Sequence, residues 1–140
     1  MHRKFRNLVT SLIVVCVWAT AAYAQAPESF PVQPKHYGSV PYLSGGVGLD
    51  EREVLNQTGR DYNLKLSFAL TSRNYLGDVA VEIRDSADRV ALEAISEGPW
   101  FFAKLPPGRY TVVVKCNENT QQKAVQVSGM GQSVLNFFWQ

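Results

Sequence analysis

The fold is decided by residues 96–114, which read SEGPWFFAKLPPGRYTVVV. Apolar side chains recur at every second position on both sides of a Pro-Pro-Gly turn at 106–108, and this alternation is typical of two β-strands. Prolines fix φ and lack an N–H group, so they favour a turn, and we expect Gly108 to supply a positive φ there. The residues predicted to face a core are Trp100, Phe102, Leu105, Tyr110, Val112 and Val114.

The same alternation predicts strands on either side of this stretch. Residues 64–70, 79–84, 89–95, 121–127 and 133–139 follow it, and polar turns such as 85–88 and 117–119 separate them. Seven short strands with turn signals about every 8–12 residues favour an all-β fold, a seven-stranded antiparallel β-sandwich. Two facing sheets would bury the apolar faces, and a small closed barrel is the competing architecture.

The last predicted strand is apolar on both faces. Leu135, Phe137 and Trp139 share one face, whereas Val134 and Phe138 share the other. Such a strand is either central in its sheet or covered, since an exposed apolar edge invites aggregation. We expect the N-terminal arm to cover it.

Residues 25–60 have a different character from the strand-rich domain at 61–140. Prolines at 27, 31, 34 and 41 predict an extended arm, and the glycine-rich run at 44–48 predicts a flexible turn. Asp50 is the expected N-cap of a short helix over about 51–57, with Glu53 at capping-box spacing and Gly59 as the stop signal.

The first 24 residues have the form of a secretory signal peptide. A basic start is followed by an apolar run at 8–22 and by the small-residue motif Ala22-Tyr23-Ala24. Cleavage before Gln25 removes 3 of the 14 basic residues and leaves 11 against 12 acidic ones, a net charge of −1. We therefore expect a periplasmic or extracellular protein with no nucleic-acid partner and no membrane span after cleavage.

Four motifs together resemble a known module. They are LGDVAV at 76–81, DSAD at 85–88, EGPWFF at 97–102 and LPPGRYTV at 105–112. They look like the carboxypeptidase regulatory-like domain, a transthyretin-like seven-stranded sandwich, and the whole chain is similar to the small secreted bacterial proteins that consist of this module. The resemblance covers about 64–139 and implies a fold and a compartment, with no catalytic residues.

The residues left after cleavage offer little material for catalysis. His36 would be the sole histidine, and one histidine cannot build a zinc site or a serine triad on its own. We therefore expect no enzyme activity, no metal and no cofactor. Cys116 would be the sole cysteine, so it is either buried or paired with another chain.

The leading hypothesis is a binding or structural role at the cell envelope, with a protein or glycan as partner. The alternatives are a carbohydrate or peptidoglycan binding module and an accessory subunit or inhibitor of an envelope peptidase. The candidate binding surface combines two aromatics predicted to face outward with residues of the loop and helix at 42–57: Phe101, Phe138, Tyr42, Asp50 and Glu51.

Overall fold

The computed structural model describes residues 32–72, 74 and 76–140. The predicted signal peptide and the first seven residues of the predicted arm lie outside these residues. The described chain contains nine strands, one α-helix and one short 3₁₀ helix. In chain order, the strands and the α-helix are β1 (Lys35–Tyr37), β2 (Val40–Gly45), α1 (Leu49–Thr58), β3 (Leu64–Leu70), β4 (Val79–Arg84), β5 (Val90–Ser96), β6 (Trp100–Ala103), β7 (Gly108–Cys116), β8 (Asn119–Val127) and β9 (Ser133–Trp139).

All seven predicted strands are present, and two more come from the predicted arm. Strands β1 and β2 form a hairpin, and β2 pairs with β6. The prediction of seven strands is therefore wrong, because part of the predicted extended arm and the start of the predicted glycine-rich turn form β1 and β2. Pro34 and Pro41 do not prevent this pairing, because Pro34 precedes β1 and Pro41 comes before Tyr42, the first residue of β2 that pairs with β6.

The strands form two sheets. One has five strands in the order β1-β2-β6-β3-β9, and the other has four in the order β5-β4-β7-β8. Neighbouring strands are antiparallel except β3 and β9, which run parallel from the pair Leu64/Ser133 to the pair Leu70/Trp139. The prediction of a purely antiparallel fold is wrong at this pair, because β9 returns from the other sheet in the direction of β3.

The Pro-Pro-Gly turn connects the two sheets and does not close a hairpin, since β6 and β7 belong to different sheets. The side chain of Asn63 fixes the crossing: its Nδ2 donates to the Leu105 carbonyl at 2.7 Å, and its Oδ1 accepts from the Leu105 N–H at 2.9 Å. The Tyr110 hydroxyl donates to the Pro106 carbonyl at 2.6 Å. Gly108 begins β7 without a positive φ, so that expectation is wrong.

The inner faces of both sheets share one apolar core. Leu64, Leu66 and Phe68 of the five-stranded sheet pack there with Val81 and Val112 of the four-stranded sheet. Tyr110 and Trp139 are also buried in this core, as predicted. Two sheets that bury their inner faces on each other account for most of the apolar burial in the fold.

A second cluster lies on the outer face of the five-stranded sheet, beneath α1. Leu43, Leu55, Tyr62 and Phe102 are buried in it, whereas the neighbouring Phe101 is buried in the main core. The expectation that Phe101 faces outward and that Trp100 and Phe102 face the main core is therefore wrong, since Trp100 packs against the second cluster as well. Alternation in a strand places neighbouring residues on opposite faces, but it does not show which part of the chain packs against each face.

Strand β9 is an edge strand, which we expected the N-terminal arm to cover. The described part of the arm lies at the opposite edge of the sheet and does not cover β9. Side chains of β8 approach β9 from the other sheet: Gln121 Nε2 donates to the Phe138 carbonyl at 2.7 Å, and Lys123 Nζ donates to the Asn136 carbonyl. These bonds occupy backbone acceptors that an edge strand would otherwise offer to another chain.

Candidate binding groove

The outer face of the four-stranded sheet carries two rows of side chains that cross neighbouring strands. Ile95, Ala80 and Lys115 form one row, on β5, β4 and β7. In the adjacent row, Glu93 lies opposite Glu82. Because side chains alternate along a strand, these residues point away from the core that their neighbours fill.

A groove of about 580 Å³ runs over these rows. Small side chains at Ala80 and Val113 leave a depression between longer ones, and Tyr37 of the β1–β2 hairpin bounds it beyond β5. Ile95 is 63 % exposed, although it is apolar. The complete lining consists of Tyr37, Ala80, Val81, Glu82, Glu93, Ala94, Ile95, Val113, Lys115 and Thr120.

Charges of both signs lie in the groove. Glu82 and Glu93 are directly opposed, an arrangement that destabilises a sheet when nothing compensates it. Arg84 compensates Glu82: its Nε donates to Glu82 Oε1, and its Nη1 lies 3.2 Å from Asp88 Oδ1. The hydrogen bond to Glu82 and then that to Asp88 raise the pKa of Arg84.

Glu93 and Lys115 lack the charge compensation that Arg84 gives to Glu82. Within the part of the chain that the structure describes, neither residue has an ion-pair partner. The groove therefore has one unpaired negative charge on β5 and one unpaired positive charge on β7, with Ala80 and the already paired Glu82 on β4 between them.

Two of the residues in the predicted binding surface lie in the core region. Phe101 is fully buried, so it is not available to a partner. Tyr42 is half-buried and stacks on it, with ring centroids 5.3 Å apart and an interplanar angle of 17°. This pair contributes packing between β2 and β6.

Of the other three predicted residues, Asp50 and Glu51 are adjacent in the first turn of α1, and Phe138 lies apart from them on β9. Asp50 is exposed in the first turn of α1 but is not the N-cap, since Gly48 occupies that position without a side-chain hydrogen bond. Glu51, rather than Glu53, closes the helix start by accepting the Val47 N–H at 3.0 Å. Phe138 faces outward as predicted, 57 % exposed, but on β9 at the far edge of the sheet. The structure does not bring the five residues together.

The outer face of the five-stranded sheet is occupied by the chain itself near Trp100. The Nζ atom of Lys65 lies 4.1 Å from the centre of the Trp100 ring and 5.4 Å from that of Phe102. Desolvation in this position lowers the pKa of Lys65. The indole also lies against the backbone of Gly46, so its faces have little room for a ligand.

Metal-binding side chains are not clustered in the described residues: no group of three or more His, Cys, Asp or Glu there could hold an ion. Nor does this part of the chain contain a helix with the length and apolar character that crossing a membrane requires. Cys116 is a free, half-buried thiol at the border of the main core, in agreement with the expected burial.

The sequence did not predict the groove, because its residues occupy the outward-facing positions of β4 and β5, where polar side chains are expected. The available signal was the presence of apolar residues at outward positions, Ile95 and Val113, in strands whose inward positions are already apolar. That signal shows only that an apolar strip exists, since its concavity depends on neighbouring strands.

Comparison of the chain with models of protein families and with curated proteins gives no match.

Proposed function

We propose that this chain is a secreted, non-enzymatic binding module of the cell envelope and that the groove on the four-stranded sheet is its binding surface. The observation that carries the proposal is the groove itself: an apolar floor with a few charged and hydroxyl groups converging on it, in a volume of about 580 Å³. Ligand sites in proteins typically have this mixture and volumes of about 300–1,000 Å³.

Secretion is supported by the basic start, the apolar run at 8–22 and the small-residue motif before Gln25. Expression of the full precursor in a Gram-negative host tests it. We expect the purified protein to begin at Gln25 by mass spectrometry and to appear in the periplasmic or extracellular fraction. A cytoplasmic protein that retains Met1 would contradict the proposal.

The transthyretin-like type of sandwich is also part of the proposal. It is supported by the seven strands predicted over 64–139, which lie in two sheets with a shared core. In this interpretation β1, β2 and α1 are additions to a carboxypeptidase regulatory-like domain, and they cover one outer face while leaving the groove open.

Obstruction of the groove tests the binding role. Ala80→Phe places a ring on the groove floor, and Ala124→Phe is the matched control, since Ala124 is exposed on the same sheet outside the lining. We expect components of an envelope fraction to be retained by the immobilised wild type and by the control, but not by Ala80→Phe. Equal retention by all three proteins would contradict a binding role for the groove.

Carbohydrate binding is the second candidate, and one observation favours it. Phe138 and Val134 are 57 % and 51 % exposed on the outward face of β9, and exposed aromatic side chains often mark contact surfaces. Loss of glycan-array binding in Phe138→Ala, with binding retained in Ala80→Phe, would favour this candidate over the groove.

A further inference from the structure

The geometry points to a specific ligand class for the groove: a short peptide with a free cationic group at one end and a free carboxylate at the other. Glu93 receives the cationic group, and Lys115 receives the carboxylate. This inference rests on the proposed binding function and names the chemistry that the groove selects.

The unpaired charges provide the first step. Glu93 and Lys115 have no ion-pair partner among residues 32–72, 74 and 76–140. Glu93 also lies opposite a second carboxylate, Glu82, whose charge Arg84 already compensates. Glu93 is the member of this pair without a counter-ion and would gain one from a ligand cation, so the end of the groove on β5 favours a positive group.

The separation of the charges sets the length of the ligand. Glu93 pairs with Glu82, Glu82 pairs with Val113, and Lys115 lies two residues further along β7. With strands about 4.8 Å apart and a rise of about 3.4 Å per residue, the Cα atoms of Glu93 and Lys115 lie roughly 12 Å apart. An extended peptide covers about 3.3–3.6 Å per residue, so about four residues fit.

The groups between and beside the charges suit a peptide with small side chains. Ala80 and Val113 leave an apolar floor, whereas Thr120 pairs with Lys115 across strands and offers a hydroxyl to the carboxylate end. Tyr37 of β1 lines the groove on the side of β5, where its ring can pack against the aliphatic part of the ligand.

The probe that tests the inference is tetraalanine with free termini. Its controls are N-acetyl-tetraalanine, tetraalanine amide and dialanine, which is too short to reach both charges. Each peptide is titrated to about 10 mM, tenfold above a Kd of about 1 mM. The readout is the backbone amide shifts of Ala80, Glu82 and Val113 in heteronuclear NMR spectra.

We expect free tetraalanine to shift these amides and each blocked peptide to bind about fivefold more weakly, the size expected for a partly exposed ion pair. Glu93→Gln should weaken free tetraalanine by about the same factor and leave the N-acetyl peptide unaffected. Lys115→Gln should do the same for the carboxylate end. Glu118→Gln and Lys104→Gln make the same charge changes at exposed sites outside the lining and should have no effect.

Equal binding of free and blocked peptides would overturn the inference, as would the absence of shifts at the highest concentration. The two proposals fail separately. If Ala80→Phe abolishes retention of envelope components while tetraalanine does not bind, the groove remains a binding surface and the peptide assignment is wrong. If neither effect occurs, both are wrong.

Discussion

The two sheets differ in what covers their outer faces. The helix α1 and Tyr62 cover part of the five-stranded sheet and bury Phe102 and Leu43 beneath them. No helix covers the four-stranded sheet in the described chain, and there Ile95 is left 63 % exposed beside a groove. A sheet face that the chain does not cover itself is available to a ligand, whereas a covered face serves stability.

The difference is also visible in consecutive residues. Phe101 and Phe102 are both buried because their strand is apolar on both sides, with the main core on one face and the helix cluster on the other. In β4, by contrast, buried Val81 and Ile83 flank Glu82, whose side chain faces the groove. In β6 the adjacent large apolar residues therefore correspond to two covered faces, and in β4 the strict alternation corresponds to one open face.

The largest expected effect tests whether both faces of β6 are covered. Phe101→Ala and Phe102→Ala should each lower the free energy of unfolding by about 3–5 kcal/mol, because each removes a fully packed ring. Urea unfolding measures both. Phe138→Ala, at an exposed aromatic, is the control and should change stability by about 0.5 kcal/mol or less. A loss in Phe102→Ala as small as that of the control would show that the helix does not cover this face in solution.

A smaller effect tests how closely the helix end approaches the sheet. A Cβ atom at Gly59 would lie 2.5 Å from Phe102 Cε1, so Gly59→Ala forces the ring or the helix end to move. We expect a loss of about 1–3 kcal/mol, typical of overpacking. Gly129→Ala is the control, because its Cβ would meet only Pro107 Cγ at an ordinary 3.6 Å. Equal stability of the two variants would mean that the helix end is looser than described.

The pH dependence of stability that arises from Tyr62, on the covered face, is expected to be a smaller effect than that of Gly59→Ala. Burial, and then the charge of Asp61, raise the pKa of Tyr62 above its usual value of 10.0. The folded protein therefore keeps this proton above pH 10, where the unfolded chain has lost it, and the associated stability is lost as pH rises through the folded pKa. Wild-type stability should fall more steeply above pH 10 than that of Tyr62→Phe in urea unfolding at stepped pH. Parallel curves would contradict the burial of this hydroxyl.

The smallest effect is expected on the open face. Ile95→Ala should change the free energy of unfolding by about 0.5 kcal/mol or less, since most of its side chain is already in water. Thermal unfolding at two protein concentrations provides the measurement. A loss near 2 kcal/mol that depends on concentration would show that a second copy of the chain covers this face, and the distinction between the sheets would then disappear.

Much of the local structure could be predicted from the sequence. The positions of β3 to β9, the turns at 85–88 and 117–119, and a helix ended by Gly59 all agree with the structure to within a few residues. Alternation and turn chemistry are local properties, so they can be recognised along the chain. The binding surface could not be predicted in the same way. Phe101 was placed on the wrong side, since its face depends on which elements pack against β6.

The sequence alone determined that this protein is built of short strands and where the chain turns. These properties follow from backbone preferences and from the period of the apolar side chains, which act over a few residues. The tertiary structure alone decided that the Pro-Pro-Gly turn joins two sheets, that β9 lies parallel to β3, and that the charges of Glu93 and Lys115 share one groove. These relations join residues far apart in the chain, and they are set by how whole sheets pack and not by any local pattern.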